Sequence, residues 1–193
     1  VLLAGPAAQL PALAAAREPG VRFDRIAARG VLGGAAGRAA LVAGLAGLLA
    51  PQGRLALAES VPRLGSRWFG ALAEGLPAAL RERLLAAEES LHADPADPQL
   101  NWDDAALEGW CRDAGLTLLA KEHLTATLDV AVTAEHLERW FGAPGQPAPG
   151  ASRIARALGE HAAAVRERLA ETALGRSLPR TTVTAIVLAA RPD

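Results

Sequence analysis

The sequence predicts an α/β fold, on three observations. The first 60 residues alternate short apolar runs with helical periodicity, in the order strand, helix, strand, helix, strand. The run Leu55-Ala56-Leu57-Ala58 is apolar on both faces of a strand, the mark of a parallel sheet covered by helices. Two runs rich in Leu, Thr and Val close the chain, separated by mostly helical pattern.

The elements follow in order. Val1 to Ala4 is apolar and stops at Gly5-Pro6, the tail of a strand. Leu10 to Arg17 is a short helix ended by Pro19-Gly20. Val21 to Ala28, with Phe23 and Ile26, is a strand. Arg38 to Leu49 places Leu41, Val42, Leu45, Leu48 and Leu49 on one helical face. Pro51-Gln52-Gly53 is a turn in which Pro pre-sets its φ and Gly53 supplies a positive one. Arg54 to Glu59 is the next strand.

The middle of the chain is helical. Pro77 opens a helix running to about His92, with Leu80, Leu84, Leu85 and Leu91 on its apolar side. Asp94-Pro95-Ala96-Asp97-Pro98 is not helix, because each Pro biases the residue before it to extended geometry. The next helix starts with Asn101 or Asp103 as N-cap and ends with Gly115 at C′. Leu116 to Val132 is a long strand, and Thr133 caps a short helix to Phe141. Gly142 to Gly150 is a Pro- and Gly-rich loop. Ser152 to Leu174 is one helix weakened at Gly159, or two, and Thr181 to Ala190 is the last strand. The late strands are expected to pair antiparallel at the sheet edge. The whole reads as one domain, 1–193: a βα core over 1–60, a helical insertion over 61–115, and late strands with intervening helices over 116–193.

Composition narrows the function. Twenty basic and 21 acidic residues leave a net charge of -1, not the concentrated positive charge of a strong nucleic-acid binder. One cysteine, Cys111, allows no internal disulfide and fits a cytoplasmic location. Four scattered histidines give no metal-ligand spacing. Val31 to Ala50 is about long enough to span a bilayer, but Arg38, five glycines and the following turn make it a buried helix. Methionine is absent and the chain opens at Val1, so a piece of a longer protein is expected.

Phe23-Asp24-Arg25-Ile26 through Val31-Leu32, then a helix, then Leu48-Leu49-Ala50-Pro51-Gln52-Gly53-Arg54-Leu55, resembles class I S-adenosylmethionine-dependent methyltransferases. That family shows an "FD-x-I-x-x-x-x-V-L" strand, a helix and an "L-L-x-P-G-G-x-L" turn. Gln52 stands where the first of the two glycines usually does. Gly5-Pro6-Ala7-Ala8-Gln9-Leu10-Pro11 sits where the family has "G-D-A-x-x-L-P", with Pro6 at the acidic position. The resemblance implies a Rossmann-like methyltransferase sheet, N-terminally incomplete, because no GxGxG loop occurs in the chain. It implies S-adenosylmethionine as cofactor, touched by Pro6, Ala7, Ala28, Arg29 and Gly30.

The segment Ala86 to Asp103, with Glu59-Ser60-Val61-Pro62-Arg63 and Arg139-Trp140-Phe141, is similar to a methyltransferase-like region fused to the RarA-type AAA+ ATPase of cyanobacteria. That implies an upstream AAA+ ATPase as partner and a place in DNA replication or recombination. No Walker A pattern is present in the chain itself.

Individual residues carry open alternatives. Asp24 is a solvated or capping carboxylate, or part of the site. Gly30 is a turn glycine, or allows close approach to a ligand. Arg29 is a surface residue, or pairs with an acidic acceptor. Glu59 and Ser60 end a strand where an acceptor would lie, and Glu59 is a base only if burial raises its pKa. His92 near Asp94 and Asp97 is a His–carboxylate pair, or a histidine meeting a helix dipole. Trp102 stacks on a planar ligand, or anchors its loop. Trp68, Trp110 and Trp140 read as core or interface aromatics, and Cys111 as an inert packed thiol.

Overall fold

The computed structural model describes residues 5–33, 35, 37–93, 100, 102–142 and 152–193. The expected strand Val1 to Ala4, the Asp94 to Pro98 break, Asn101 and most of the Gly142 to Gly150 loop lie outside the described residues.

The fold is mixed α/β. Strands β1 (Phe23–Arg29), β2 (Leu49–Ser60), β3 (Thr117–Ala131) and β4 (Ser177–Ala190) form one sheet in the order β1-β2-β4-β3. β1 and β2 are parallel, and β4 runs antiparallel to β2. β4 is therefore interior and β3 forms an edge. Val132 N–H donates to Arg176 O at 2.9 Å, and Thr127 Oγ1 lies 2.8 Å from Thr181 Oγ1, so β3 and β4 also run in opposite directions.

The helices are α1 (Leu10–Arg17), α2 (Arg38–Gly47), α3 (Trp68–Leu72), α4 (Ala78–Ala93), α5 (Asp104–Asp113), α6 (Ala134–Phe141), α7 (Arg153–Leu158) and α8 (Ala162–Thr172). Among the described residues no helix is long and apolar enough to cross a membrane.

The chain divides into two compact units with separate cores. One comprises Val1–Leu64, Trp102–Thr125 and Thr182–Asp193; the other comprises Gly65–Asn101 and Ala126–Thr181. The first unit holds β1, β2, α1, α2 and α5. Its core joins Leu41, Val42 and Leu45 of α2, Leu107 and Cys111 of α5, and Leu55, Leu57, Val187 and Ala189 of the sheet. A fully buried Leu or Val contributes about 1.5–3 kcal/mol, so these residues dominate the unit's stability. The second unit packs Leu84 of α4, Leu137 and Phe141 of α6, Ile154 and Leu158 of α7 and Val165 and Leu169 of α8 around Leu72 and Leu178.

Local signals explain the ends of α5, α6 and α7. Asp103 is the N-cap of α5, its Oδ1 accepting from Ala106 N–H at 3.0 Å, and Gly115 ends the turn at φ 76°. Thr133 caps α6 in a capping box closed by His136: each side chain accepts the other residue's backbone N–H. Ser152 caps α7, and Gly159 at φ 56° divides the expected Ser152 to Leu174 segment into α7 and α8.

The Pro51-Gln52-Gly53 turn corrects the sequence reading. Gln52, at φ 61°, takes the left-handed conformation expected of Gly53. The strand runs through the turn instead of starting at Arg54. Between paired residues Phe23↔Leu49 and Arg25↔Arg54, β1 advances by two positions and β2 by five. Gly53 is needed for closeness: a Cβ there would lie 2.8 Å from Ala50 O and 2.9 Å from Phe23 O.

Candidate functional site at the carboxyl ends of the parallel strands

In open α/β sheets the carboxyl ends of parallel strands are where ligands bind. Here those ends are Ala28-Arg29-Gly30 on β1 and Ala58-Glu59-Ser60 on β2. Gly30 turns the chain at φ 63°, and its N–H donates to Ala58 O at 3.0 Å. A Cβ at Gly30 would meet nothing within 4 Å. The glycine is therefore kept for its backbone conformation, with open space above it.

Glu59 organises this end. It is 1% exposed, and its two carboxylate oxygens accept the N–H groups of Val31, at 2.8 Å, and Leu32, at 3.2 Å. Burial pushes its carboxyl above the ordinary value, against the pull of those two N–H groups and of the Arg38 guanidinium. Arg38, 6% exposed, donates from Nη2 to Gly33 O at 3.2 Å and lies over the Trp102 ring, 5.5 Å from its centroid. The loop after β1 is thus fixed from both sides. With both oxygens committed to it, Glu59 is a clamp for the loop and not a base poised for an acceptor.

Arg38 is the residue that sequence reasoning passed over. Its signal was that it is the sole charge in Val31 to Ala50; a lone Arg in an apolar stretch needs a partner inside.

The other expected positions fall as follows. Ala28 and Arg29, with Ala27, Ala56, Leu57, Ala58 and Ile186, line an open cavity of about 210 Å³. Ala28 and Ala7 both pack against the first unit's core. Pro6 is exposed, its carbonyl accepting from Gln9 N–H at 2.9 Å in the short turn before α1. The structure joins Ala28, Arg29 and Gly30 on one strand end. Asp24 is exposed at the opposite end of β1. Trp102 is 3% exposed and tilted against Trp110 at 5.7 Å, so it anchors the core and offers no face to a ligand. Cys111 is buried, and burial first, then the charge of Glu108, pushes its thiol up to about 11, which makes it inert. Among the described residues no group of three His, Cys, Asp or Glu is placed to hold a metal.

In the second unit His92 lies in the last turn of α4, while Asp94 and Asp97 are outside the described residues. Trp68, Phe69 and Trp140 meet edge to face with centroids 4.9–5.1 Å apart, and pack on that unit's core. Glu88, 6% exposed, accepts Phe69 N–H at 3.2 Å.

No protein-family model matches the chain, and no curated protein sequence matches it. Among solved structures, the chain is similar to a methyltransferase-named protein of Bacillus halodurans (13% identity, TM-score 0.49, covering 98% of this chain and 70% of that one). It is similar to the YcgJ protein of Bacillus subtilis (10% identity, TM-score 0.41, covering 91% and 67%). It is also similar to phosphoethanolamine N-methyltransferase 2 of Haemonchus contortus, solved with phosphomonomethylethanolamine and S-adenosylhomocysteine (12% identity, TM-score 0.33, covering 89% and 34%). All three scores lie below 0.5, and the fold assignment rests on the strand order and register themselves.

Proposed function

We propose that the chain is the carboxyl-terminal part of a methyltransferase-like domain that uses S-adenosylmethionine as methyl donor. The observation that carries this reading is the sheet. A parallel pair, β1 and β2, bears the motif residues Phe23 to Leu32 and Leu48 to Leu55, and a reversed strand, β4, lies between β2 and the edge strand β3.

In this reading Ala28 and Arg29 form the cavity wall beside the donor, Gly30 leaves room above the strand end, and Pro6 and Ala7 supply the loop before α1. The fit to the donor is partial. Gly30, Val31 and Leu32 N–H groups are already bonded within the unit. Glu59 is committed, and Asp24 is at the wrong end, so neither holds ribose hydroxyls. The residues present give a floor for the cofactor and not its grip. Without two or three charge-assisted hydrogen bonds, each worth about 1.5–3 kcal/mol, affinity falls by on the order of 10³-fold or more.

Isothermal titration with S-adenosylmethionine tests this on two chains. These 193 residues are expected to bind no tighter than millimolar, and a longer parent chain to bind at micromolar concentration. No heat from the parent at millimolar ligand overturns the enzyme reading.

A second reading is a non-catalytic module attached to an AAA+ ATPase acting on DNA; the commitment of Glu59 supports its non-catalytic part alone, and the attachment rests on the resemblance of Ala86 to Asp103. Its signature is a parent chain with ATPase activity that depends on this region and does not respond to S-adenosylmethionine.

A further inference from the structure

A cavity of about 530 Å³ opens at the other end of the parallel strands, within the first unit. Arg22, which precedes β1, and Arg191, which follows β4, both line it. So do Gly47 at the end of α2, Gly115 after α5, and Asp193. A strand rises about 3.3 Å per residue, which puts Arg22 roughly 20 Å from Arg29 along β1. The cavity is thus separate from the one beside Ala28 and Arg29.

Two guanidinium groups in one cavity repel each other unless an anion lies between them. Arg22 Nη1 donates to Val21 O and Arg191 Nη1 to Leu49 O, each at 2.8 Å. Those bonds hold the two heads and leave most donors of each planar fork over. Among the described residues neither arginine is in an ion pair.

The helix ends do not account for them. Helix C-termini suit cations, but here the last carbonyls are bonded within the chain. Leu45 O accepts Leu48 N–H at 3.1 Å, Arg112 O accepts Gly115 N–H at 2.9 Å, and Cys111 O accepts Leu116 N–H at 3.0 Å. Nor does Asp193 account for them: its Oδ1 accepts from Gln52 Nε2 at 2.7 Å.

The lining narrows the ligand. With Asp193 turned to Gln52, the two guanidinium charges match a dianion, and their forks match the oxygens of a phosphate. Asp193 keeps an oxygen for a hydroxyl donor. Ala43, Ala46 and Gly47 are small and leave more space than inorganic phosphate fills. No aromatic side chain among the described residues lines the cavity, so nothing there would stack on a nucleobase.

We propose that this cavity binds a phosphate monoester of a small polyol, a sugar phosphate, with its phosphate oxygens between Arg22 and Arg191 and a hydroxyl donating to Asp193. The site stands independently of the methyl-donor reading.

The test is calorimetry of the 193-residue chain with ribose 5-phosphate, ribose, inorganic phosphate and adenosine monophosphate. Ribose 5-phosphate is expected to bind at least tenfold tighter than ribose or inorganic phosphate, and adenosine monophosphate no tighter than the sugar phosphate. Arg22→Gln and Arg191→Gln should each weaken it at least tenfold. Asp193→Asn should narrow the gap between ribose 5-phosphate and inorganic phosphate. Arg81→Gln, in the second unit, should change nothing. Because Arg191 also holds Leu49 O, amide chemical shifts of the unaltered chain give a reading that needs no variant. The signals of Gly47 and Gly115 should move with ribose 5-phosphate, and that of Gly30 should stay. Binding of no probe, equal binding of inorganic phosphate, tighter binding of adenosine monophosphate, shifts confined to Gly30, or arginine variants that bind as the parent does overturns the proposal.

Discussion

Each unit of the molecule buries one glutamate, and the two do different amounts of work. Glu59 ends a strand, satisfies two backbone N–H groups of a loop 27 and 28 residues earlier in the chain, and faces the buried Arg38. Glu88 sits in α4, satisfies Phe69 N–H at the start of α3, and has Arg67 nearby. Burial raises both carboxyls above their ordinary value, and in both the bonded N–H groups pull the other way. A buried carboxylate is thus no sign of catalysis by itself. What matters is whether an oxygen is left over, and at Glu59 neither is.

The sharpest test is removal. Glu59→Ala leaves two buried donors unsatisfied and strips a buried guanidinium of its counter-charge, a loss of about 3–5 kcal/mol. Glu88→Ala removes the acceptor of Phe69 N–H, with Trp68 N–H beside it, and faces a more exposed arginine, a loss of about 1–3 kcal/mol. Urea titration separates them, because Trp102 and Trp110 report the first unit and Trp68 and Trp140 the second. Single-tryptophan backgrounds should show each variant shifting its own unit's transition. Equal losses would break the comparison.

The Gln52-Gly53 turn within β2 gives the next largest effect. Gly53→Ala forces a Cβ against two carbonyl oxygens, and is expected to cost about 1–3 kcal/mol. Gln52→Gly should instead stabilise, by a few tenths to about 1 kcal/mol, since a left-handed φ is unfavourable for a residue with a Cβ. The loss of the exposed bond from Gln52 Nε2 to Asp193 Oδ1 trims that gain. Thermal unfolding of both variants checks the signs. A destabilised Gln52→Gly would mean that this bond outweighs the backbone strain.

These residues also mark how far the sequence could be read. The β1–α2–β2 stretch was legible because apolar periodicity and a local motif agree there. Asp103, Gly115 and Thr133 were legible because caps act within a few residues. Gln52 was misread because the rule that glycine takes positive φ is statistical, and here the crowding of Ala50 and Phe23 carbonyls reserves the glycine for the next position. The clamp at Glu59 and the role of Arg38 depend on a strand end meeting a loop across the sheet. The division into two cores was hidden for a similar reason: β3 and β4 each contribute residues to both units.

A pH dependence follows from the two buried carboxyls. A carboxyl whose folded pKa is raised favours its protonated form in the fold. Its stabilising contribution is full below the unfolded value of 4.5, and is lost as pH rises through the raised folded value. Relative to Glu59→Gln/Glu88→Gln, the parent chain should therefore gain stability as pH falls from 7 toward 4.5. Urea midpoints for both chains across that window measure it. A parent that loses stability relative to the variant on acidification would show that the N–H groups outweigh desolvation.

The smallest expected effect lies on β3. Lys121 Nζ reaches Asp104 Oδ2 at 2.8 Å and also bonds Glu108, both on α5, while His123 Nε2 is 3.3 Å from the same Asp104 oxygen. The ammonium holds Asp104 below the ordinary carboxylate range, and the two carboxylates hold Lys121 above its own. Water reaches this cluster, so salt screens it and the entropy of a long side chain offsets much of the attraction. Unlike the Glu59 clamp, no buried group is orphaned when Lys121 is replaced. Lys121→Ala should lower the melting temperature slightly in dilute buffer, and the difference should vanish in 1 M sodium chloride. Glu59→Ala should keep its full deficit in the same salt, because its partners are out of reach of counterions. A Lys121→Ala deficit that persists at high salt would mean that the lysine stem packs on α5, and that its charge is incidental.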